Sequence, residues 1–287
     1  MGVETIYIAR HGYRLNWVTT TWKSVTGLPR DPPLAAFGIT QAEELGQYFL
    51  SLPPDERPTA IFSSPYYRCL QTSKPVSVTL GVPIYVEHGL SEWYSHVVPG
   101  SGLHPRPGSA SALKTYFSEI DAETWQSVFY SSRKGEDVEE VHDRAGQAAN
   151  ALVQVLERKF PNQHKRILFV THAATAIALA RELIGNRELS LRVGCCTLSE
   201  FQRKPDATEF IGGWEAKRLA DGAHLKEGAS RDWGFEDITV ADGRLLMILV
   251  NPVLRMRSMN LLDVRSRCSL THACRTEQYQ FIDVNPI

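Results

Sequence analysis

Short apolar runs that stop at a polar, chemically active residue constrain this chain more than any other feature. Thr5 to Ala9 is β-branched and aromatic and runs straight into Arg10-His11-Gly12-Tyr13-Arg14. Arg166 to Val170 is the strongest such run and ends in Thr171-His172-Ala173. Ala60 to Phe62, closed by Ser63-Ser64-Pro65, and Pro83 to Val86 are two more. Runs of this length and composition predict buried strands. Helical patterns separate them. Thr40 and Glu43 have capping-box spacing, with Ala42, Leu45, Gly46 and Phe49 on one face, so a helix is expected from near Thr40. Ser64 suits an N-cap and Pro65 the first helical position, which puts Arg68 in an opening turn; Pro75 should kink or end that helix. Val138, Val141, Ala145, Ala148, Leu152, Val155 and Leu156 predict a long amphipathic helix over 137–160, and an Ala-rich helix follows His172 as far as Leu183. Strands alternating with helices predict an α/β fold, a three-layer α/β/α arrangement with a mainly parallel central sheet.

Beyond residue 194 the alternation stops. Cys195 to Gln202 and Trp214 to Leu219 read as later sheet strands or a flanking hairpin, and adjacent Cys195 and Cys196 should then face opposite ways. Residues 1–243 are expected to form one domain, with 95–135 an insertion over its active-site face. The tail 244–287 carries six Arg and no Lys against three acids. It reads as a disordered tail, a partner-binding arm or sequence outside the domain.

Charge narrows the partners. Lys and Arg total 31 against 32 Asp and Glu, so nothing draws the whole chain to nucleic acid or to an anionic membrane. Neither sequence-specific nucleic-acid binding nor a membrane partner is expected. No apolar run reaches the ~18 residues of a membrane span. The start lacks a signal-peptide pattern and five irregularly spaced Cys fit a reducing compartment, so the expected location is intracellular, cytoplasmic or nuclear.

In an open α/β sheet, ligands bind beyond the carboxyl ends of the strands. His11 and His172 both leave such ends, and Arg68 opens a helix that follows a third. Arg10, Arg14 and Arg68, with no carboxylate among them, would repel one another unless a multiply charged anion sat between them. A phosphoryl group fits best. Neutral imidazole can attack phosphorus, and the guanidiniums can neutralise charge on the equatorial oxygens, so neither a metal nor another cofactor is expected. A leaving alkoxide needs a proton. Glu92, beside Trp93 and Tyr94, is the stronger candidate donor, because aromatic surroundings could raise its pKa; Glu87 is the weaker one.

Ile6 to Gly12 resembles the signature of the histidine phosphatase superfamily, also called phosphoglycerate-mutase-like. Asp31 to Leu34 with Gly38 and Gln41-Ala42, Ser63 to Thr72, Gly135-Glu136 with Arg144, and Val170 to Ala173 resemble its further motifs in family order. The resemblance implies that His11 is the phosphorylated nucleophile, that Arg10, Arg14, Arg68 and His172 bind the phosphoryl group, and that Glu92 is the proton donor. Arg14 is similar to the phosphatase branches, including the ubiquitin-associated, SH3-containing phosphatases, and argues against a mutase. Thr5 to Arg14, Ser64 to Gln71, Gly89 to Tyr94 and Val170 to Ala180 also resemble the fungal histidine-phosphatase-like subunits of RNA polymerase III transcription factor C. That likeness continues weakly through Gly194 to Phe201 and Trp214 to Phe235.

Two functions follow as expectations. The first is a metal-independent phosphomonoester hydrolase working through phospho-His11 on a small molecule or a phosphoprotein. The second is an assembly subunit of a transcription complex with weak or no catalysis. Thr271-His272-Ala273 repeats the second histidine triplet without a strand before it, and Cys268 and Cys274 lack matching metal ligands, so neither is assigned a role. His88, His96, His104, His142, His164 and His224 are expected at the surface; His96, His104 and Arg106 lie where they could touch substrate.

Overall fold

Strand β1 (Thr5–Arg10) is buried along its whole length and carries β4 (Arg166–Thr171) on one side in parallel register, Thr5 opposite Arg166 and Arg10 opposite Thr171. On the far side of β4 lie β2 (Ala60–Ser63) and then β3 (Ile84–Val86), both parallel. On the other side of β1, β5 (Leu198–Arg203) and β6 (Trp214–Asp221) add two antiparallel strands, giving the order β3-β2-β4-β1-β5-β6. The computed structural model describes residues 2–241 and 244–247.

The parallel strands require helical crossovers, and the chain supplies them. Tyr7, Ala9, Ile61, Leu168 and Val170 pack with Leu45 and Phe49 of α1 (Ala36–Ser51) and with Cys69, Leu70 and Val76 of α2 (Tyr67–Leu80). Alternate strand residues Ile6, Ile8, Phe62, Ile167 and Phe169 are equally buried and point to the opposite face. That face belongs to α4 (Val138–Lys159) and α5 (Ala173–Ile184). Full burial of Val141, Leu152 and Leu156 contributes about 1.5–3 kcal/mol each to holding α4 down. Asp137 and Glu140 close its start with a reciprocal capping box.

Three local expectations need correction. Helix α1 begins at Ala36, not near Thr40, whose hydroxyl donates back to the Ala36 carbonyl inside the helix. Helix α2 begins at Tyr67 without a side-chain cap, because Ser64 is engaged elsewhere, and Pro75 lies inside a helix that runs on to Leu80. Strand β5 starts only at Leu198. Cys195 and Cys196 sit in the turn before it, Cys196 with φ 53°, and both are buried without alternating across a sheet.

Within 95–135, α3 (Ala110–Leu113) and the following residues put Leu113, Phe117 and Ile120 into the core. Ile84 donates to the Glu119 carbonyl and accepts from Asp121, so this stretch covers the outer edge of β3. Residues 2–234 form one compact unit. A second unit starts at Phe235 and contains an antiparallel hairpin of β7 (Ile238–Ala241) and β8 (Arg244–Met247). The rest of the expected tail, with Cys268, Thr271-His272-Ala273 and Cys274, lies outside the described residues.

Candidate phosphoryl-transfer site

Three of the four parallel strands, β1, β2 and β3, hold the residue just beyond their end by one more backbone bond. The His11 N–H donates to Thr171, Ser64 to Val170, and Glu87 to Ser63. Three loops therefore leave the sheet side by side, and His172 becomes the N-cap residue of α5.

His11 is 2% exposed, and its Nδ1 lies 2.8 Å from the Gly12 carbonyl oxygen. A carbonyl only accepts, so the neutral ring carries its proton on Nδ1 and leaves the Nε2 lone pair free. Burial, then Arg68, Arg10, His172 and Arg14, hold the His11 pKa well below that of an ordinary imidazole. The ring is neutral, and therefore nucleophilic, at physiological pH. The two imidazoles stand edge to face with centroids 5.4 Å apart.

The sharp turn after β1 depends on two glycines. A Cβ on Gly12 would lie 2.6 Å from the Gly38 carbonyl oxygen, and one on Gly38 would lie 2.2 Å from that of Tyr13. The start of α1 thus packs directly against the 12–13 backbone, and Gln41 accepts from the Tyr13 N–H. Thr72 of α2 accepts from the Gly12 N–H while donating to the Arg68 carbonyl.

Arg68 is 1% exposed and holds the centre. Its Nη1 donates to Asp31 at 3.0 Å; its Nη2 donates to Glu92 at 3.0 Å and lies 3.1 Å from His172 Nδ1. Tyr66 packs beneath, edge-on to His172 and under the guanidinium. The expectation of an arginine cluster without carboxylates is corrected here: Asp31, in the loop before α1, and Glu92 both pair with Arg68. Asp31 also accepts from the Tyr67 N–H and so fixes the start of α2.

His172, fully buried, places Nε2 2.8 Å from Ser64 Oγ and Nδ1 3.3 Å from Glu92 Oε2. Either its Nε2 proton goes to Ser64 while Nδ1 accepts from Arg68, or its Nδ1 proton goes to Glu92 while Ser64 donates to Nε2. Burial pushes its pKa down to about 4, against the opposing pull of Glu92.

The remaining cations are less encumbered. Arg10 Nη1 donates to the carbonyls of Val193, at 2.7 Å, and Arg231. Arg14 makes no ion pair among the described residues and stacks on Trp17 at 4.2 Å. Burial, then Arg68, lowers its pKa to about 9, so it remains a cation at neutral pH. The Nε–H groups of Arg10, Arg14 and Arg68 are all buried and all lack an acceptor among the described residues. Buried donors are almost always satisfied, so three orphans on three adjacent guanidiniums are donors that an anion could satisfy.

Glu92 departs from expectation. Burial alone would raise its pKa, but His172, Arg68 and Arg14 outweigh burial and hold it well below the usual carboxylate range. It is ionised here, not a raised aromatic-pocket acid. Glu87 is an anchor: it accepts from Gly89, Ser127, Val128, Phe129 and Trp125, and so holds the 125–129 loop. Arg144 fixes the strand-to-Glu92 connection by gripping Glu136 with Nε and the Gly89 and Ser91 carbonyls with Nη1.

Several histidines expected at the surface are buried, namely His88, His104 and His142. His104 stacks on Tyr94 and donates from Nε2 to the Ser95 carbonyl, and with Arg106 it lines a pocket bordered by Glu92, Tyr66 and Glu136. His96 instead pairs with Glu140 at the surface.

His11, Glu92 and His172 have ligand atoms within 4.8 Å of one another, a spacing that could hold a metal ion. The chemistry of the surroundings opposes it. Glu92 is already paired to Arg68, and a divalent cation would meet the field of three guanidiniums.

The fold and this constellation define an α/β protein that gathers three arginines and two histidines beyond the strand ends of its sheet. The profile of the histidine phosphatase superfamily (branch 1) matches residues 6–212, and the chain belongs to that superfamily. It is 34% identical over 268 residues to the transcription factor tau 55 kDa subunit of Saccharomyces cerevisiae, covering 84% of this chain and 60% of that protein. It is 25% identical over 237 residues to the ecdysteroid-phosphate phosphatase of Drosophila melanogaster, 69% of this chain and 30% of that one. The chain thus spans three fifths or less of these relatives. In fold it is similar to the ecdysone phosphate phosphatase of Bombix mori solved with tungstate, with TM-score 0.56, 19% identity, and coverage of 76% of this chain and 93% of that one. Among the described residues no helix is long and apolar enough to cross a membrane.

Proposed function

We propose that this protein is a metal-independent phosphomonoester hydrolase that works through a phosphohistidine on His11. The observation that carries this reading is the set of three buried, acceptorless Nε–H groups on Arg10, Arg14 and Arg68 around a neutral imidazole. A phosphate dianion supplies the missing acceptors and the missing negative charge together.

His11 Nε2 attacks phosphorus in line, the P–O ester bond breaks, and the electron pair leaves on the alkoxide. Glu92, protonated on Oε, gives that oxygen its proton. Glu92 is ionised in the free site, but a dianion bound within the reach of Arg68, Arg14 and His172 cancels the cations that depress its pKa and adds repulsion of its own. Substrate binding therefore makes Glu92 take up a proton from solvent. In the second step Glu92 takes a proton from water, the water oxygen bonds to phosphorus, and the N–P bond breaks to free His11 and phosphate. Arg10, Arg14 and Arg68 neutralise equatorial oxygen charge throughout, and neutral His172 contributes a ring N–H donor.

The test is turnover of an aryl phosphate at mildly acidic pH in the presence of chelator, with protein quenched in detergent at alkaline pH and probed for acid-labile, base-stable phosphate. Activity and label that vanish in His11→Ala support the reading. Turnover equal to that of His11→Ala refutes it.

A second reading is favoured by the 34% identity to the tau 55 kDa subunit: this chain is also a subunit of a nuclear transcription assembly. Purification from nuclear extract should then recover stable partners with wild type and His11→Ala alike. Recovery of the chain alone argues against it.

A further inference from the structure

Residues 213–234 lie beyond the span matched by the superfamily profile, yet they return to the phosphate site. The Val193 and Trp233 backbones pair, Cys195 donates to the Ser230 carbonyl, and Gln41 of α1 donates to the Ser230 hydroxyl. Between these clasps stands Arg231. Its carbonyl accepts from Arg10, and its φ is 52°, a left-handed conformation rare for a residue with a side chain.

The Arg231 side chain is exposed, and its guanidinium lies 5.3 Å from the Trp17 ring and 5.7 Å from the Tyr13 ring. Its Nε and Nη2 reach only the Tyr13 hydroxyl, at 3.4 and 3.5 Å. It has no carboxylate partner among the described residues. The same Trp17 ring carries Arg14 at 4.2 Å and Arg10 at 5.8 Å, and lies 6.3 Å from the His11 ring. One indole thus ties a solvent-facing cation to the buried phosphate-binding ones.

A guanidinium at the mouth of an anion site, fixed by backbone and aromatic contacts and without a carboxylate partner among the described residues, is arranged to meet a second negative group on the incoming molecule. We infer that Arg231 is a specificity-determining residue that selects phosphomonoesters bearing a carboxylate or second acidic group a few bonds from the ester oxygen. This inference rests on the hydrolase reading above. Arg231 adds substrate preference; the bond-breaking steps stay with His11 and Glu92.

The experiment compares phenyl phosphate with 3-carboxyphenyl phosphate on the full chain. The ratio of kcat/KM, carboxylated over plain, should fall about fivefold or more in Arg231→Gln, the loss of one solvent-facing charge-assisted contact. It should fall further in Arg231→Glu and return towards wild type in Arg231→Lys. A ratio unchanged in both Gln and Glu variants overturns the inference, as does an equal drop for both esters, which marks a structural role. If wild type turns over neither ester above His11→Ala, the hydrolase reading fails by itself. Calorimetric titration of the two esters into His11→Ala, with and without Arg231→Gln, then reads the same ratio as dissociation constants. A preference for the carboxylated ester lost with Arg231 supports the inference, and equal affinities refute it.

Discussion

Replacing Asp31 with asparagine isolates the role of the buried counterion. Asp31 and Arg68 are each 1% exposed and 3.0 Å apart. Removing one partner of a buried pair typically costs about 3–5 kcal/mol. Two contacts soften the loss here: Arg68 keeps Glu92 at 3.0 Å, and the amide oxygen can still accept from the Tyr67 N–H. A destabilisation of about 2–3 kcal/mol follows, and at about 2–4 °C per kcal/mol for a domain of this size the melting temperature drops by roughly 5–10 °C. The variant also leaves the pocket one positive charge richer, so phosphate should bind it more tightly than it binds wild type. A ligand at 100 times its Kd stabilises by about 2.7 kcal/mol. The two melting curves, recorded by circular dichroism in phosphate-free buffer and again in phosphate, should therefore draw together as phosphate is added. An Asp31→Asn protein that melts with wild type, or whose deficit is untouched by phosphate, would show that Asp31 is not the electrostatic support assigned to it.

Glu92→Gln should slow alkyl phosphate hydrolysis by about 10²–10⁴ and aryl esters with good leaving groups by much less; equal losses on both would deny Glu92 its proton-donor role. His88 and His172 have pKa values pushed down by burial to about 4, so their ring signals in NMR should stay those of neutral imidazole down to pH 5, and titration near 6.5 would contradict the burial argument. The linkage sign is set by the same shifts: between about 6.5 and 4 the unfolded chain binds protons that the folded rings refuse, so their contribution to stability is full above 6.5 and is lost as pH falls to about 4. Asp31 and Glu87, whose pKa values burial raises, act in the opposite sense, so the ring signals test this more cleanly than melting does. Gly38→Ala places a carbon 2.2 Å from the Tyr13 carbonyl oxygen and must push the 12–14 loop outwards, with weaker phosphate binding and about 1–3 kcal/mol of lost stability; unaltered binding and melting would mean the close approach is not required.

The residues that carried the sequence reading share one property: each follows a strand whose apolar run ends sharply. His11, Ser64, Glu87 and His172 could be placed because strand ends in a parallel sheet lie together. Loop residues gave no such handle. Asp31 was visible only as part of a resemblance, since its meeting with Arg68 depends on the path of the chain between β1 and α1. Ser64 satisfied the spacing rule for an N-cap, yet its hydroxyl is engaged by His172, a partner 108 residues away. The Glu92 pKa was misjudged for the same reason: neighbours in sequence are aromatic, while neighbours in space are Arg68 and His172. Arg231 had no signal at all. Nothing near it in sequence suggests that Tyr13 and Trp17 form its platform.

Arg10 lies at the end of the first strand, but its Nη1 is held by carbonyls 183 and 221 residues downstream. During synthesis the first arginine of the pocket is made early and waits for almost all of this unit before its supports exist. Contacts of such long sequence separation form late in folding. A chain that has not yet reached residue 231 cannot hold the Arg10 guanidinium in this form, so the last few residues of this unit are the ones that lock the arginine made near its beginning.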